Sequence, residues 1–140
     1  MNSTTSYIRA WQRAWRQGIA PQLSTAALRA LRRALVTDDR RLIQGGSISP
    51  LPLQSVREKS VQGGCAICYA AWQGDGLATV AEVEEYFAHV CVESDRRLGE
   101  PAAVRYFLNP FDDWSREEMR RNLLPEVELA LAARETPAAA

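Results

Sequence analysis

The first acidic residue in the chain is Asp38, and everything before it carries six arginines, Arg9, Arg13, Arg16, Arg29, Arg32 and Arg33. The formal net charge of zero therefore hides a split. Residues 1 to 42 hold eight arginines against Asp38 and Asp39, a net of +6, while residues 43 to 140 hold nine basic against fifteen acidic residues, a net of −6. Any fold of this chain has to bring the N-terminal arginines to something anionic, either the acidic remainder of the same molecule or an outside partner.

At 140 residues and 46% apolar composition the chain fits one domain that buries roughly two-thirds of its unfolded surface. Lys59 is the only lysine against sixteen arginines, a bias that a GC-rich genome explains more simply than arginine-specific recognition. The longest uncharged, largely apolar run, Val61 to Gly74, is short of the ~20 residues a membrane span needs. The acid-free, arginine- and serine-bearing start has the composition of an organelle presequence, but the preferred reading is a retained helix. Three cysteines cannot all pair within one chain, and no secretory pattern precedes them, so a reducing, cytoplasmic compartment is the default.

Ile8, Trp11 and Trp15 recur at helical spacing until Gly18 and Pro21, with Arg9, Arg13 and Arg16 in a neighbouring stripe. A second helix opens at Ser24 and buries Leu28, Leu31, Ala34 and Leu35. Beyond Asp39 the pattern turns extended from Leu42 to Ser49, and Pro50 and Pro52 hold Ser49 and Leu51 out of the helical region. Val61 to Trp72 is an apolar run flanked by Gly63-Gly64 and Gly74-Asp75-Gly76, which by length and flanks reads as a buried strand. Thr79 and Glu82 have capping-box spacing, and Gly99 and Pro101 are stop signals, so the sequence predicts a helix over 80–98 burying Val80, Val83, Phe87, Val90, Cys91, Ser94 and Leu98. Ala103 to Leu108 reads as a strand ended by Asn109-Pro110. Ser115 and Glu118 open a last helix through Met119, Leu123, Val127 and Leu131, with Pro125 kinking or restarting it.

These elements predict an α+β fold: a basic N-terminal helical pair (residues 1–40), then an α+β body (41–135), then a tail (136–140). In the body, strands 63–72 and 103–108 flank helix 80–98 in a right-handed β-α-β crossover within a small three-stranded sheet, followed by the C-terminal helix.

All three cysteines and the only histidine fall together, as Cys65-x-x-Cys68 and His89-x-Cys91. By composition that is a zinc set. Residues two apart on a helix diverge by about 160°, and residues three apart on a strand face opposite sides, so zinc is disfavoured and buried thiols with an exposed histidine are expected. A Cys-His nucleophile pair lacks a third orienting group. The acidic alternative follows from topology: parallel strands would bring Asp75 and the loop of Asn109, Asp112 and Asp113 to one sheet edge, where hard oxygen ligands suit magnesium or calcium. Ordinary turn chemistry explains the same residues more plainly. The tripeptide Asn109-Pro110-Phe111, which some endocytic adaptor domains bind, is too short to carry function.

The leading expectation is a small accessory or interaction protein that docks through Trp11 and Trp15 with Arg9, Arg13 and Arg16 beside them; the alternative is a small enzyme that uses the acidic divalent-cation site. A protein partner or a second copy of the chain ranks first, nucleic acid second and a membrane surface third. The competing account is that both tryptophans dock on the acidic body of the same molecule, with the arginines as a solvated or internally paired rim.

Overall fold

The computed structural model describes residues 3–51 and 53–135; Pro52 and the expected tail at 136–140 lie outside the described residues. Helix α1 (Ser3–Arg13) continues without a break into a wider, π-helical turn at Ala14–Ile19, and a 3₁₀ turn at Ala20–Gln22 ends the rod. Trp11, Ala14, Trp15, Gly18 and Ile19 form its buried face, the i, i+3, i+4, i+7 stripe of a core-facing helix. Helix α2 (Thr25–Thr37) starts where the Ser24 hydroxyl accepts from the Ala27 N–H at 2.9 Å. It buries Ala27, Leu28, Ala30, Leu31, Ala34 and Leu35 and stops at Asp38, which is left-handed at φ 54°.

The expected α+β body is not what the chain forms. Among the described residues the sheet consists of two two-residue strands, β1 (Ile48–Ser49) and β2 (Gly63–Gly64), paired antiparallel with Ile48 opposite Gly64. There is no three-stranded sheet and no β-α-β crossover, and the molecule is mostly helical. Of the expected strand at 63–72, only Gly63–Gly64 is extended; helix α3 (Ala66–Tyr69) and a π-helical turn (Ala70–Gly74) take the rest. The expected strand at Ala103–Leu108 is likewise a π-helical turn, leading straight into α5 (Asn109–Asp113).

Each departure has a physical cause. Residues 65 to 71 are buried without exception, and a helix covered on every side shows no polar face, so its sequence is a continuous apolar run like that of a buried strand. Gly74 marks a close approach rather than a turn: a Cβ there would lie 2.3 Å from the Ala27 Cα, so only glycine lets this segment lie on α2. At Ala103 the helical start is stabilised from a neighbour, because the Asp95 carboxylate accepts from the N–H groups of both Ala102 and Ala103 at 2.8 Å. Asn109-Pro110 continues a run of helical turns instead of ending a strand: Pro110 falls in the first turn of α5, directly after the π-helical turn.

Helix α4 (Val80–Leu98) matches its expected span, with both halves of the Thr79–Glu82 capping box formed and Gly99 left-handed at φ 73°. Helix α6 (Arg116–Glu135) opens on reciprocal bonds between Ser115 and Glu118 and runs through Pro125, which is exposed. Two of its arginines secure the end of α2: Arg116 reaches Asp38 at 2.6 Å and the carbonyls of Asp39 and Leu42, and Arg120 reaches the Leu35 carbonyl at 2.8 Å. Arg120 thereby satisfies a carbonyl in the last turn of α2, which the helix end leaves without an internal partner, while Arg116 holds the turn that follows.

One buried cluster runs from Trp11 to Leu131 and draws on the N-terminal helices as much as on the rest of the chain. Its centre is a stack of aromatic rings. Phe107 lies parallel to Trp11, Trp15 and Phe111 at centroid separations of 5.6, 5.5 and 6.0 Å, and Trp114 meets Trp11 edge-on at 5.0 Å.

Candidate functional site

The tryptophans expected to anchor a partner are core residues. Trp11 and Trp15 are each 1% exposed, locked against Phe107, and offer no ring surface to an outside molecule. At about 150–250 Å² each, two buried indoles contribute on the order of 4–6 kcal/mol apiece as an upper bound. That energy belongs to folding. The arginines beside them divide by direction. Arg16 makes a two-pronged pair with Glu126, at 2.6 and 2.8 Å, and Glu126 is only 5% exposed; the carboxylate holds the guanidinium charged. Arg29 approaches Glu135 at 3.6 Å and Arg13 approaches Glu100 at 3.7 Å. Three arginines of the acid-free segment thus meet carboxylates of the same molecule.

Arg9 and Arg13 also border a groove between α1 and residues 98–106. One part, about 290 Å³, is lined by Arg9, Ala10, Arg13, Leu98, Glu100 and Tyr106, among others. A second, about 520 Å³, is lined by Ser6, Tyr7, Ala10, Arg105 and Tyr106. Ala10 and Tyr106 belong to both, which makes the two parts neighbours along one face of α1. The Arg105 guanidinium sits 5.2 Å from the centre of the Tyr106 ring, a cation-π distance. Tyr7 at 43% and Val104 at 54% exposure add an accessible aromatic and an aliphatic side chain on the same stretch of surface. The Tyr7 hydroxyl is pushed above its ordinary range by burial and by the Asp113 carboxylate, so it is a neutral donor. The arrangement combines cationic groups with aromatic and apolar walls, and it suits a ligand carrying carboxylates and an apolar side chain.

The acidic alternative loses its premise, because the strand edge that would gather its residues does not exist. Asp75 follows the π-helical turn and accepts from the Ser24 hydroxyl, tying that turn to the start of α2. Asn109, Asp112 and Asp113 belong to α5, where Asp112 accepts from the Gly45 N–H at 2.9 Å and burial raises its carboxyl above the ordinary carboxylate range. Among the described residues, no three His, Cys, Asp or Glu side chains gather as a metal-holding group. Pro110 and Phe111 are buried, so Asn109-Pro110-Phe111 is not a presented tripeptide.

The cysteines are arranged differently from the expectation. Cys65 is the residue immediately before α3 and Cys68 lies three positions on within it. Cys65 is extended (φ −63°, ψ −179°) and Cys68 is helical, so strand alternation does not describe the pair. The Cys65 thiol makes no side-chain cap hydrogen bond at the start of α3; its close neighbour Cys68 lowers its pKa against the opposing effect of burial, and the Cys68 thiol is pushed up by Cys65 and by burial. Cys91 on α4 is pushed up to about 12, first by burial and then by Cys65. His89 is exposed and lines a surface hollow with Leu77, Glu82, Glu85 and Tyr86, away from the thiols.

The groove residues Tyr7, Arg105 and Tyr106 carry no motif. The one local hint was Arg105 next to Tyr106, inside a run read as a strand. No protein-family model, curated protein or solved structure matches this chain. Among the described residues, no helix is long and apolar enough to cross a membrane.

Proposed function

We propose that this chain is a small accessory protein that binds an acidic, apolar-anchored segment of a protein partner in the groove between α1 and residues 98–106. The observation that carries the reading is the convergence of Arg9, Arg13 and Arg105 with Tyr7 and Tyr106 along that groove. The docking role assigned to the N-terminal segment is retained, and its contact surface moves from the buried tryptophans to the outward side of α1. The Arg13–Glu100 pair favours the same reading. Its side chains are 49% and 44% exposed, and an exposed pair at 3.7 Å is weak enough to exchange for a partner carboxylate. A reducing compartment such as the cytoplasm belongs to the same proposal, supported by an odd count of three cysteines that cannot all pair within the chain.

The test is a photo-crosslinking amino acid at Val104, used to capture partners from native lysate with and without nuclease treatment. The parent should capture a discrete protein that an Arg13→Glu/Arg105→Glu variant of unchanged helicity does not. Capture that is indifferent to the two charge reversals would refute the groove, and capture that disappears on nuclease treatment would replace the protein partner with nucleic acid.

A further inference from the structure

We propose that a cavity between the N-terminal rod and α6 binds a small free carboxylic acid with an apolar body, its carboxylate held by Arg16. The proposal is independent of the groove, which runs along Arg9, Ala10 and Arg13. The cavity measures about 330 Å³ and is lined by Arg16, Ala20, Glu126, Leu129 and Ala130, with buried Trp15 at its base. Small-molecule sites begin at about this size, and apolar walls bearing a few polar groups are their usual lining. Two arginine links hold its sides. Arg16 on the rod grips Glu126 of α6 at 2.6 and 2.8 Å, and Arg134 of α6 reaches back to the Ala20 carbonyl at 2.9 Å. The walls are thus fixed before a ligand arrives, which lowers the ordering cost of binding.

Arg16 gives the cavity its charge preference. Its bonds to Glu126 use the Nε–H and an Nη2–H, the side edge of the guanidinium. A guanidinium carries its N–H donors in a planar fork, so the end edge between Nη1 and Nη2 keeps a parallel pair that matches a second carboxylate. The Arg16 side chain is 53% exposed and that of Glu126 only 5%, so the arginine faces the opening and the glutamate lies behind it. A cationic ligand would have to pass a positive group to reach a carboxylate whose two oxygens already accept from Arg16. An anionic ligand meets the guanidinium first. Its apolar part then covers Ala20, Ala130 and Leu129, and Leu129 is an exposed leucine that gains by being covered. A protein C-terminus would present the same head and chain, but a space of about 330 Å³ suits a short free acid better than the end of a polypeptide.

The experiment titrates the full chain with hexanoate, hexylamine, hexanol and N-acetylleucine while recording proton–nitrogen correlation NMR spectra. Hexanoate is expected to bind saturably with a dissociation constant on the order of 1 mM or tighter. It should shift the Arg16 Nε–H signal and the backbone of residues 126–130, and leave residues 98–106 in place. Hexylamine and hexanol should bind about tenfold more weakly or worse, because neither uses the guanidinium fork. Ala130→Phe, which fills the cavity from a partly buried position, should abolish hexanoate binding. Arg16→Lys keeps a cation beside Glu126 but loses the fork, and should weaken hexanoate about tenfold while leaving hexanol unchanged. The comparison of head groups on the unsubstituted protein decides the matter even if a variant misfolds. No saturation with hexanoate, equal binding of hexanol or hexylamine, or shifts at 98–106 in place of 126–130 would each overturn the proposal. Tighter binding of N-acetylleucine than of hexanoate would overturn the free acid in favour of a protein C-terminus.

Discussion

Helix α4 and the buried segment Ala66–Gly74 lie against each other, yet they are held by different means. α4 carries its own ends: the Thr79–Glu82 box at the start, Glu93 paired to Arg96 and Arg97 near the finish, and left-handed Gly99 beyond. Its outer face is wet and charged. Ala66–Gly74 has no side-chain cap at either end of α3 and no exposed face through residue 71. It is helical because β2, α2 and α4 surround it. The π-helical turn at Ala103–Leu108 belongs to the second kind, since its first N–H groups are satisfied by Asp95 of α4 and its ring Phe107 by the tryptophans of the N-terminal rod. A self-capped helix survives damage to its neighbours, whereas a helix shaped by its surroundings is lost with them.

The largest expected effect that would break this comparison is at Trp15. Removing the ring in Trp15→Ala should cost about 3–5 kcal/mol in urea unfolding, and hydrogen exchange should lose protection at residues 103–113 while residues 80–98 stay protected. Equal loss in both segments would show that α4 depends on its neighbours too. Next comes Gly74→Ala, which sets a Cβ 2.3 Å from the Ala27 Cα. The overpacking should cost about 3 kcal/mol, and a cost below about 1 kcal/mol would mean that the segment does not need the close approach to α2.

The two capping residues, Asp95 and Thr79, make a finer test. Asp95→Ala strips an acceptor shared by two N–H groups and should cost about 1–3 kcal/mol, read as a fall in melting temperature with local opening near residue 103. Thr79→Ala should cost about 1 kcal/mol and shorten α4 by no more than its first turn in circular dichroism. The smallest effect is titration. Asp38 is held below the ordinary carboxylate range by Arg116, and Asp39 by Arg41 with further help from the Tyr69 hydroxyl. A depressed folded-state pKa adds stability above the unfolded value near 3.9, lost as pH falls below about 4. Denaturation midpoints should therefore drop between about pH 4 and 2, and Arg116→Met should flatten that slope without altering α4.

How much was legible in the sequence follows the same division. α2, α4 and α6 announce themselves through Ser24, through Thr79 with Glu82 and Gly99, and through Ser115 with Glu118, because a cap acts within three residues of the group it satisfies. Val61–Trp72 and Ala103–Leu108 have the sequence pattern of strands because full burial erases the alternation that tells helix from strand, and because Gly74 and Pro110 signal a break unless the neighbouring backbone is known. The candidate groove was half legible: Arg9 and Arg13 stood out by charge, while Arg105 and Tyr106 reach it only through a helical turn that the sequence did not reveal.

Local chemistry alone thus determined three capped helices, the separation of charge along the chain, and the Cys-x-x-Cys spacing of Cys65 and Cys68. The tertiary structure decided the direction of every one of these groups. It turned Trp11 and Trp15 inward onto Phe107, gave Arg16 to Glu126, divided Asp75 from Asp112, and set Cys65 just before α3 and Cys68 within it. Caps and charges depend on neighbours in the chain, but burial and facing depend on which distant segments fill the space around a residue, and that is settled only when the whole core closes.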